Sequence, residues 1–329
     1  MKIYQSSLNI KTFELIAQHC PHVKINLLRS FSLGDKETID ILRDFSPFIE
    51  TAGLDSGVYS KFYNENVNHT LDDYSRFLEK HADMFKFYFN YDEDFEEKSR
   101  DAFGNRNDKN LKILEDRGFK PVPVIHLLNS DIVNFHIEQV KKYPFVAMGS
   151  SVLNDSNFDK VVEDLVLAGI SVHAFKIGSA DRLKRLPICS SDCSSHAQWT
   201  KAGRCVAFDN DTQKDRPLSF RYWDKNGIQN DNFYLNHKLF KKFLIFVEEV
   251  CHCEIEWLVV DSNYRTFINS MYFVWLEKYL NEWHEKGVEL KYPMDNYTGN
   301  DIDRMIDDML NETIPPEDNP TSKQPVQDS

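Results

Sequence analysis

The sequence contains no apolar run approaching the roughly 18 residues that a membrane-crossing helix needs, so no transmembrane segment is expected. Its first residues, Met1-Lys2-Ile3-Tyr4-Gln5-Ser6, lack the apolar stretch and small-residue cleavage site of a secretory signal, which predicts a cytoplasmic protein. Cysteine is scarce too. Six thiols, at positions 20, 189, 193, 205, 251 and 253, are too few and too unevenly spread for a disulfide framework, and reduced side chains are expected. No G-x-G-x-x-G occurs, which counts against an open doubly wound sheet with a phosphate-binding turn after an early strand. Basic charge is short overall, with 39 Lys and Arg against 52 Asp and Glu. Apolar residues are not short: they make up 41% of a chain of 329, enough for a sizeable core.

A net charge of -13 would ordinarily argue against a phosphate-bearing partner. Its distribution weakens that argument. Residues 295–329 hold nine acids against Arg304 and Lys323, so over half of the excess sits in the tail. Residues 176–204, in contrast, carry Lys176, Arg182, Lys184, Arg185, Lys201 and Arg204 against Asp181 and Asp192. That segment is the candidate nucleic-acid-binding surface, the alternative being a solvated charged face.

Short β-rich runs alternate with amphipathic stretches, the mark of parallel strands joined by helical crossovers. Eight strands are predicted, near Lys2–Ser6, Val23–Leu28, Phe48–Leu54, Met84–Phe89, Pro121–His126, Phe145–Met148, Ser171–Phe175 and Ile188–Ser191. Helices are predicted between them at Leu71–Asp83, Lys109–Arg117, Asp131–Lys142 and Asp159–Leu167. The fold class is therefore α/β, a (β/α)8 TIM barrel over residues 1–205. A turn-rich segment, Phe208–Gly227, leads into helical stretches at Phe233–Val250, Asn263–Lys286 and Asp301–Leu310. Residues 206–312 thus form a C-terminal helical extension packed on the barrel, and residues 313–329 a proline-rich, acidic, disordered tail.

Active sites of such barrels lie at the C-terminal ends of the strands. The third strand ends in Gly53-Leu54-Asp55-Ser56-Gly57-Val58-Tyr59, the fourth in Asn90-Tyr91-Asp92-Glu93-Asp94, and the fifth in His126. The sixth ends in Gly149-Ser150-Ser151, the seventh in Lys176-Ile177-Gly178-Ser179, and the eighth in Ser191-Asp192-Cys193-Ser194-Ser195. Asp55 and Asp192 are the candidate carboxylate pair for glycosidic chemistry, in which one attacks the anomeric carbon and the other handles the leaving group's proton. Cys193 has no activating base beside it in sequence and reads as a packing residue.

These motifs, in this order and spacing, together with Pro121-Val122-Pro123-Val124-Ile125-His126, Val146-Ala147-Met148-Gly149-Ser150 and His173-Ala174-Phe175-Lys176-Ile177-Gly178, resemble the tRNA-guanine transglycosylase superfamily. The likeness is strongest to its phage and prophage DpdA branch and covers about residues 23–205, with an echo in Asn263-Tyr264-Arg265-Thr266-Phe267-Ile268-Asn269. The resemblance implies an enzyme, a glycosyltransferase that exchanges guanine in DNA for a free 7-deazaguanine base such as 7-cyano-7-deazaguanine. Asp192 would be the nucleophile and Asp55 the general acid/base. Asp92, His126, Gly149, Ser150 and Gly178 would line the base pocket, with Glu93 and Asp94 as register alternatives to Asp92. Tyr59, Phe175 and Trp199 are candidates to stack on a base. Duplex DNA would have to present an extruded nucleotide. A genome so marked would resist restriction enzymes that read guanine N7 and O6, which suits a phage-encoded protein in a host cytoplasm.

The tRNA-modifying enzymes carry zinc on a Cys-x-Cys-x-x-Cys set with a later His, and this chain departs from that pattern. Only Cys251-His252-Cys253 is present, so no cofactor is expected, and Cys251, Cys253 and His284 are the set a structural zinc would use. Three rival readings are the same exchange on tRNA, a non-catalytic nucleic-acid-binding subunit, and a metal hydrolase on His126 and His173. The subunit reading gives no reason for both Asp55 and Asp192, and the hydrolase lacks a His-x-His pair.

Overall fold

A computed structural model of the chain describes residues 1–93, 106–126, 140–149, 155–220 and 234–293. Ser150, Asp94, most of the expected helix Asp131–Lys142, the expected helix Asp301–Leu310 and the tail lie outside the described residues.

All eight expected strands are present: β1 (Lys2–Ser6), β2 (Ile25–Ser30), β3 (Ile49–Asp55), β4 (Phe87–Tyr88), β5 (Val124–Ile125), β6 (Phe145–Met148), β7 (Ser171–Ala174) and β8 (Ser190–Cys193). They form one parallel sheet in the order β4-β3-β2-β1-β8-β7-β6-β5. The first and last strands are therefore neighbours, Tyr4 pairing with Asn26 on one side and Asp192 on the other. The edge strands β4 and β5 approach each other through a parallel bridge between Phe89 and Val122. There the Asn90 N–H donates to the Val122 carbonyl and the Val122 N–H to the Tyr88 carbonyl, both at 2.8 Å. The sheet is curled and TIM-like.

Side chains alternate across each strand, and the two faces bury two separate cores. Inside the curl, Tyr4, Leu28, Phe89, Val122, Val124 and Ala147 pack with Phe87, Phe145 and Phe175. On the outer face Ile3, Leu27, Leu54, Val146 and Val172 join the helices in a larger cluster. Helix limits follow local chemistry. The Leu71–His81 helix begins at a Thr70–Asp73 capping box, buries Tyr74, Ser75, Phe77 and Leu78 on one face, and closes with Lys80 and His81 in its last turn.

The segment expected to be turn-rich holds an antiparallel hairpin, β9 (Arg204–Asp209) with β10 (Lys214–Ser219). Its second strand carries Pro217 and alternates poorly, which hides it from pattern reading. The C-terminal stretch contributes the 25-residue Ser262–Lys286 helix, capped by the Asp261 side chain on the Asn263 N–H. It packs against β1, the Ile10–His19 helix, the Ala180–Arg185 helix and β9. Asn269 ties it there, accepting from the Val206 N–H at 2.9 Å and donating to the Arg204 carbonyl at 3.1 Å. Among the described residues no helix is long and apolar enough to cross a membrane.

Candidate active site

Strand parity carries three groups to one end of the curl. Asp55 closes β3 opposite Ser30 and shares the inward face with Gly53 and Thr51. Its Oδ2 accepts from the Gly57 N–H at 3.2 Å and, more weakly, from the Ser30 hydroxyl at 3.5 Å. Gly57 makes this possible. Its φ is +75°, and a Cβ there would stand 2.6 Å from the Ser32 nitrogen, so any other residue would push the turn open.

Asp192 lies inward on β8 and is 7% exposed. Its Oδ1 accepts from the Lys176 backbone N–H at 2.9 Å. Lys176 adopts φ +61°, a left-handed conformation rare for lysine, which turns that N–H toward the carboxylate. His173, one inward step earlier on β7 than Phe175, places Nε2 3.6 Å from the same oxygen. Asp92 follows β4 and is equally buried. Its Oδ1 accepts from the Ser56 hydroxyl at 2.9 Å, and its Oδ2 lies 2.7 Å from His126 Nε2. Gly149 backs this pair, since a Cβ there would sit 2.9 Å from His126 Cε1.

Three carboxylates thus share one desolvated mouth, and the consequence falls on Asp55. Burial raises its pKa from 3.8 to about 7, and the charges of Asp92 and Asp192 add to the rise, while the Gly57 N–H and the Lys176 cation oppose it. A carboxyl of that kind can give and take a proton near neutrality. The Lys176 ammonium stands 3.4 Å from the centroid of the Tyr59 ring, and Tyr59 remains 41% exposed at the mouth.

Other candidates fall elsewhere. Gly178 lies against the outward side of β8, where a Cβ would be 2.9 Å from Cys193 Cβ. Cys193 is buried, and burial beside Asp192 pushes its thiol well above the usual range, as a packing residue requires. Arg182 and Arg185 pair with Asp159, and Lys184 pairs with Glu289 while covering the Trp283 ring at 3.6 Å. These three cations are engaged on the outer helices, so of the basic set the structure brings Lys176 to the carboxylates. Lys201 and Arg204 are exposed, at the end of the Ser195–Lys201 helix and the start of β9. Trp199 stacks flat on Phe273, and Phe175 packs on Phe89 in the inner core.

The zinc candidates are not brought together. Cys251 and Cys253 are buried near Cys20, whose thiol reaches the Cys251 carbonyl at 3.5 Å, whereas His284 meets the Leu183 carbonyl near the far end of the long helix. Among the described residues no group of three His, Cys, Asp or Glu side chains could hold a metal ion.

Ser56, Ser30 and Ser190 carry no signal of their own in the sequence, and His173 stands out there only as a ligand of the rival metal hydrolase. The signal for His173 was available in strand parity, since it pairs with Ser190 on the same inward row as Asp192. Compared with known proteins, the chain matches no family model and no curated sequence.

Proposed function

We propose that this chain is a DNA guanine transglycosylase, that its curled sheet is a (β/α)8 barrel with a C-terminal helical extension, and that Asp192 and Asp55 carry the chemistry. The observation that supports this best is the convergence of Asp55, Asp92 and Asp192 at one end of the sheet, with Asp55 pushed up to about 7. A glycosidic exchange needs one carboxylate that stays ionised and one that can hold a proton.

Asp192 is the attacking partner, its Oδ1 held by the Lys176 N–H. One of its oxygens forms a bond to C1′ of an extruded deoxyguanosine as the C1′–N9 bond breaks, and the electron pair leaves with the guanine. The protonated Asp55 supplies the proton that neutralises that base. An incoming 7-deazaguanine then gives its N9 proton to Asp55 and attacks C1′, which releases Asp192 as a carboxylate and restores the strand. The covalent stage preserves sugar and backbone while the bases change places. Asp92, fixed by Ser56 and His126, offers its remaining lone pairs to the N–H edge of the base, a contact that rejects bases without those donors. Tyr59 and Lys176 at the mouth suit a flanking base and phosphate, and Lys201 and Arg204 add exposed positive charge.

The test is incorporation of labelled 7-cyano-7-deazaguanine into duplex DNA and into tRNA, with the wild-type protein and Asp192→Asn. Label in DNA that disappears in the variant is the expected result. Label in tRNA alone would replace the DNA reading by an RNA one, and label in neither would overturn both.

A further inference from the structure

We propose that His173 is a positioning residue for the nucleophile: its Nε2–H holds Asp192 Oδ1 and leaves Oδ2 as the oxygen that attacks. This inference rests on the base-exchange reading and adds to it a residue and an atom assignment. His173 is 0% exposed in an aromatic cage, with its ring 5.0 Å from that of Phe89 and 4.9 Å from that of Phe175, and with Tyr4, Phe87 and Phe145 further out. Packing alone would favour an apolar side chain at such a place. Instead the ring brings two nitrogens. Nδ1 stands 2.9 Å from the Ser190 hydroxyl. Nε2 has no hydrogen-bond partner among the described residues, and it faces the Asp192 carboxylate.

An unpaired buried polar atom forfeits its hydration with nothing in return, so its placement asks for a reason. The tautomer supplies one. When the Ser190 hydroxyl donates to Nδ1, the ring proton resides on Nε2 and points at Asp192 Oδ1. The separation of 3.6 Å is longer than a formed hydrogen bond, as is common at catalytic contacts before substrate arrives. With the Lys176 N–H at 2.9 Å, two donors then converge on Oδ1, and Oδ2 has no hydrogen-bond partner among the described residues. During the reaction Oδ2 bonds to C1′ and Oδ1 becomes the ester carbonyl. When the second base displaces Oδ2, negative charge returns to the carboxylate, and both donors stabilise it without rearrangement.

Three substitutions separate this role from packing. In His173→Gln an amide N–H can reach the place of Nε2, in His173→Asn only that of Nδ1, and in His173→Phe neither. We expect kcat for base exchange to fall by about 10²-fold in the Asn and Phe variants and by only about threefold in Gln, with KM for DNA nearly unchanged, since a misplaced nucleophile is lost from the chemical step. Equal losses in all three, or Asn retaining more than Gln, would overturn the proposal. Nitrogen NMR of histidine-labelled protein gives a readout that needs no turnover: His173 is expected as the Nε2–H tautomer, with a resonance that shifts in Asp192→Asn. An Nδ1–H tautomer, or no response to Asp192→Asn, would also overturn it. If wild-type protein exchanges no base while the tautomer and the shift are found, the contact stands and the functional reading is what fails.

Discussion

The two ends of the parallel sheet handle buried charge in opposite ways. At the N-terminal end Glu277, reaching in from the long helix, accepts from the Ile3 N–H at 2.6 Å, and both its oxygens accept from the Asn26 amide, at 2.9 and 3.0 Å. Lys2 donates to Asn26, Thr51 bridges Asn26 to Tyr4, and the amino terminus bonds Asn281. Burial raises the Glu277 pKa, but the Ile3 N–H, the Asn26 amide, Lys2 and the amino terminus pull the other way. At the C-terminal end three carboxylates crowd together, and two of them raise the third. One end is a satisfied network of the kind that holds a barrel together, and the other keeps like charges close, which folding alone would not select.

The largest expected effect breaks the crowded end. Asp55→Asn removes the proton carrier and lowers base exchange by about 10²–10⁴-fold, the usual contribution of a positioned acid/base. The same substitution relieves repulsion, so Tm at pH 8 rises by about 1–2 °C, on the order of 1 kcal/mol. The pH dependence sharpens the comparison. Folded Asp55 binds its proton at about 7 and the unfolded chain at 3.8, so between those values the folded state holds the extra proton. Its contribution to stability therefore falls as pH rises through that window, and chemical denaturation at pH 5 and pH 8 should show a slope in the wild type that flattens in Asp55→Asn. An unchanged slope together with unchanged activity would remove Asp55 from the proposed role.

The satisfied end predicts the reverse pairing of effects. Glu277→Ala leaves the Ile3 N–H and the Asn26 amide without their shared acceptor. A loss of about 2–3 kcal/mol is expected, a Tm lower by roughly 3–4 °C, with kcat of the folded fraction unchanged. Differential scanning calorimetry alongside base-exchange assays below the transition would check it, and a loss of kcat at full folding would erase the distinction between the two ends.

The same contrast explains what was legible in the sequence. Strands such as Lys2–Ser6 and Phe145–Met148 were readable to the residue because β-branched and aromatic side chains alternate between bounded turns. Asp55 and Asp192 were readable as candidates because a barrel fixes which strand ends share a mouth. Two things were not readable. The hairpin partner Lys214–Ser219 is an edge strand with proline and no clear alternation. The basic residues Arg182, Lys184 and Arg185 cluster in sequence, but their partners Asp159 and Glu289 come from distant segments, so charge along the chain overstated the free positive surface. Long-range pairing is a property of the folded chain and leaves no local trace.

The smallest expected effect concerns His196, four residues after the inward-facing Asp192 but buried on the helix side of β8. It is 0% exposed, no ring nitrogen makes a well-formed hydrogen bond among the described residues, and burial lowers its pKa to about 4, with the nearby Ser6 backbone opposing the shift. Unlike His173 it faces no carboxylate, and its ring contact is Phe273 at 6.3 Å. If the unpaired nitrogens of His173 are kept for function and those of His196 are not, replacing each should have opposite consequences. His196→Leu is expected to raise stability by about 1 kcal/mol at pH 7 and to leave base exchange intact, because an apolar group takes the place of an unsatisfied one. The gain should widen in acid. The unfolded histidine takes up a proton below 6.5 and the folded one only near 4, so the wild type loses stability as pH falls between those values and the Leu variant does not. Denaturation curves at pH 7 and pH 5 measure the difference directly, and a variant that is less stable than wild type at both values would show that His196 has a partner at that strand end and that its burial is functional after all.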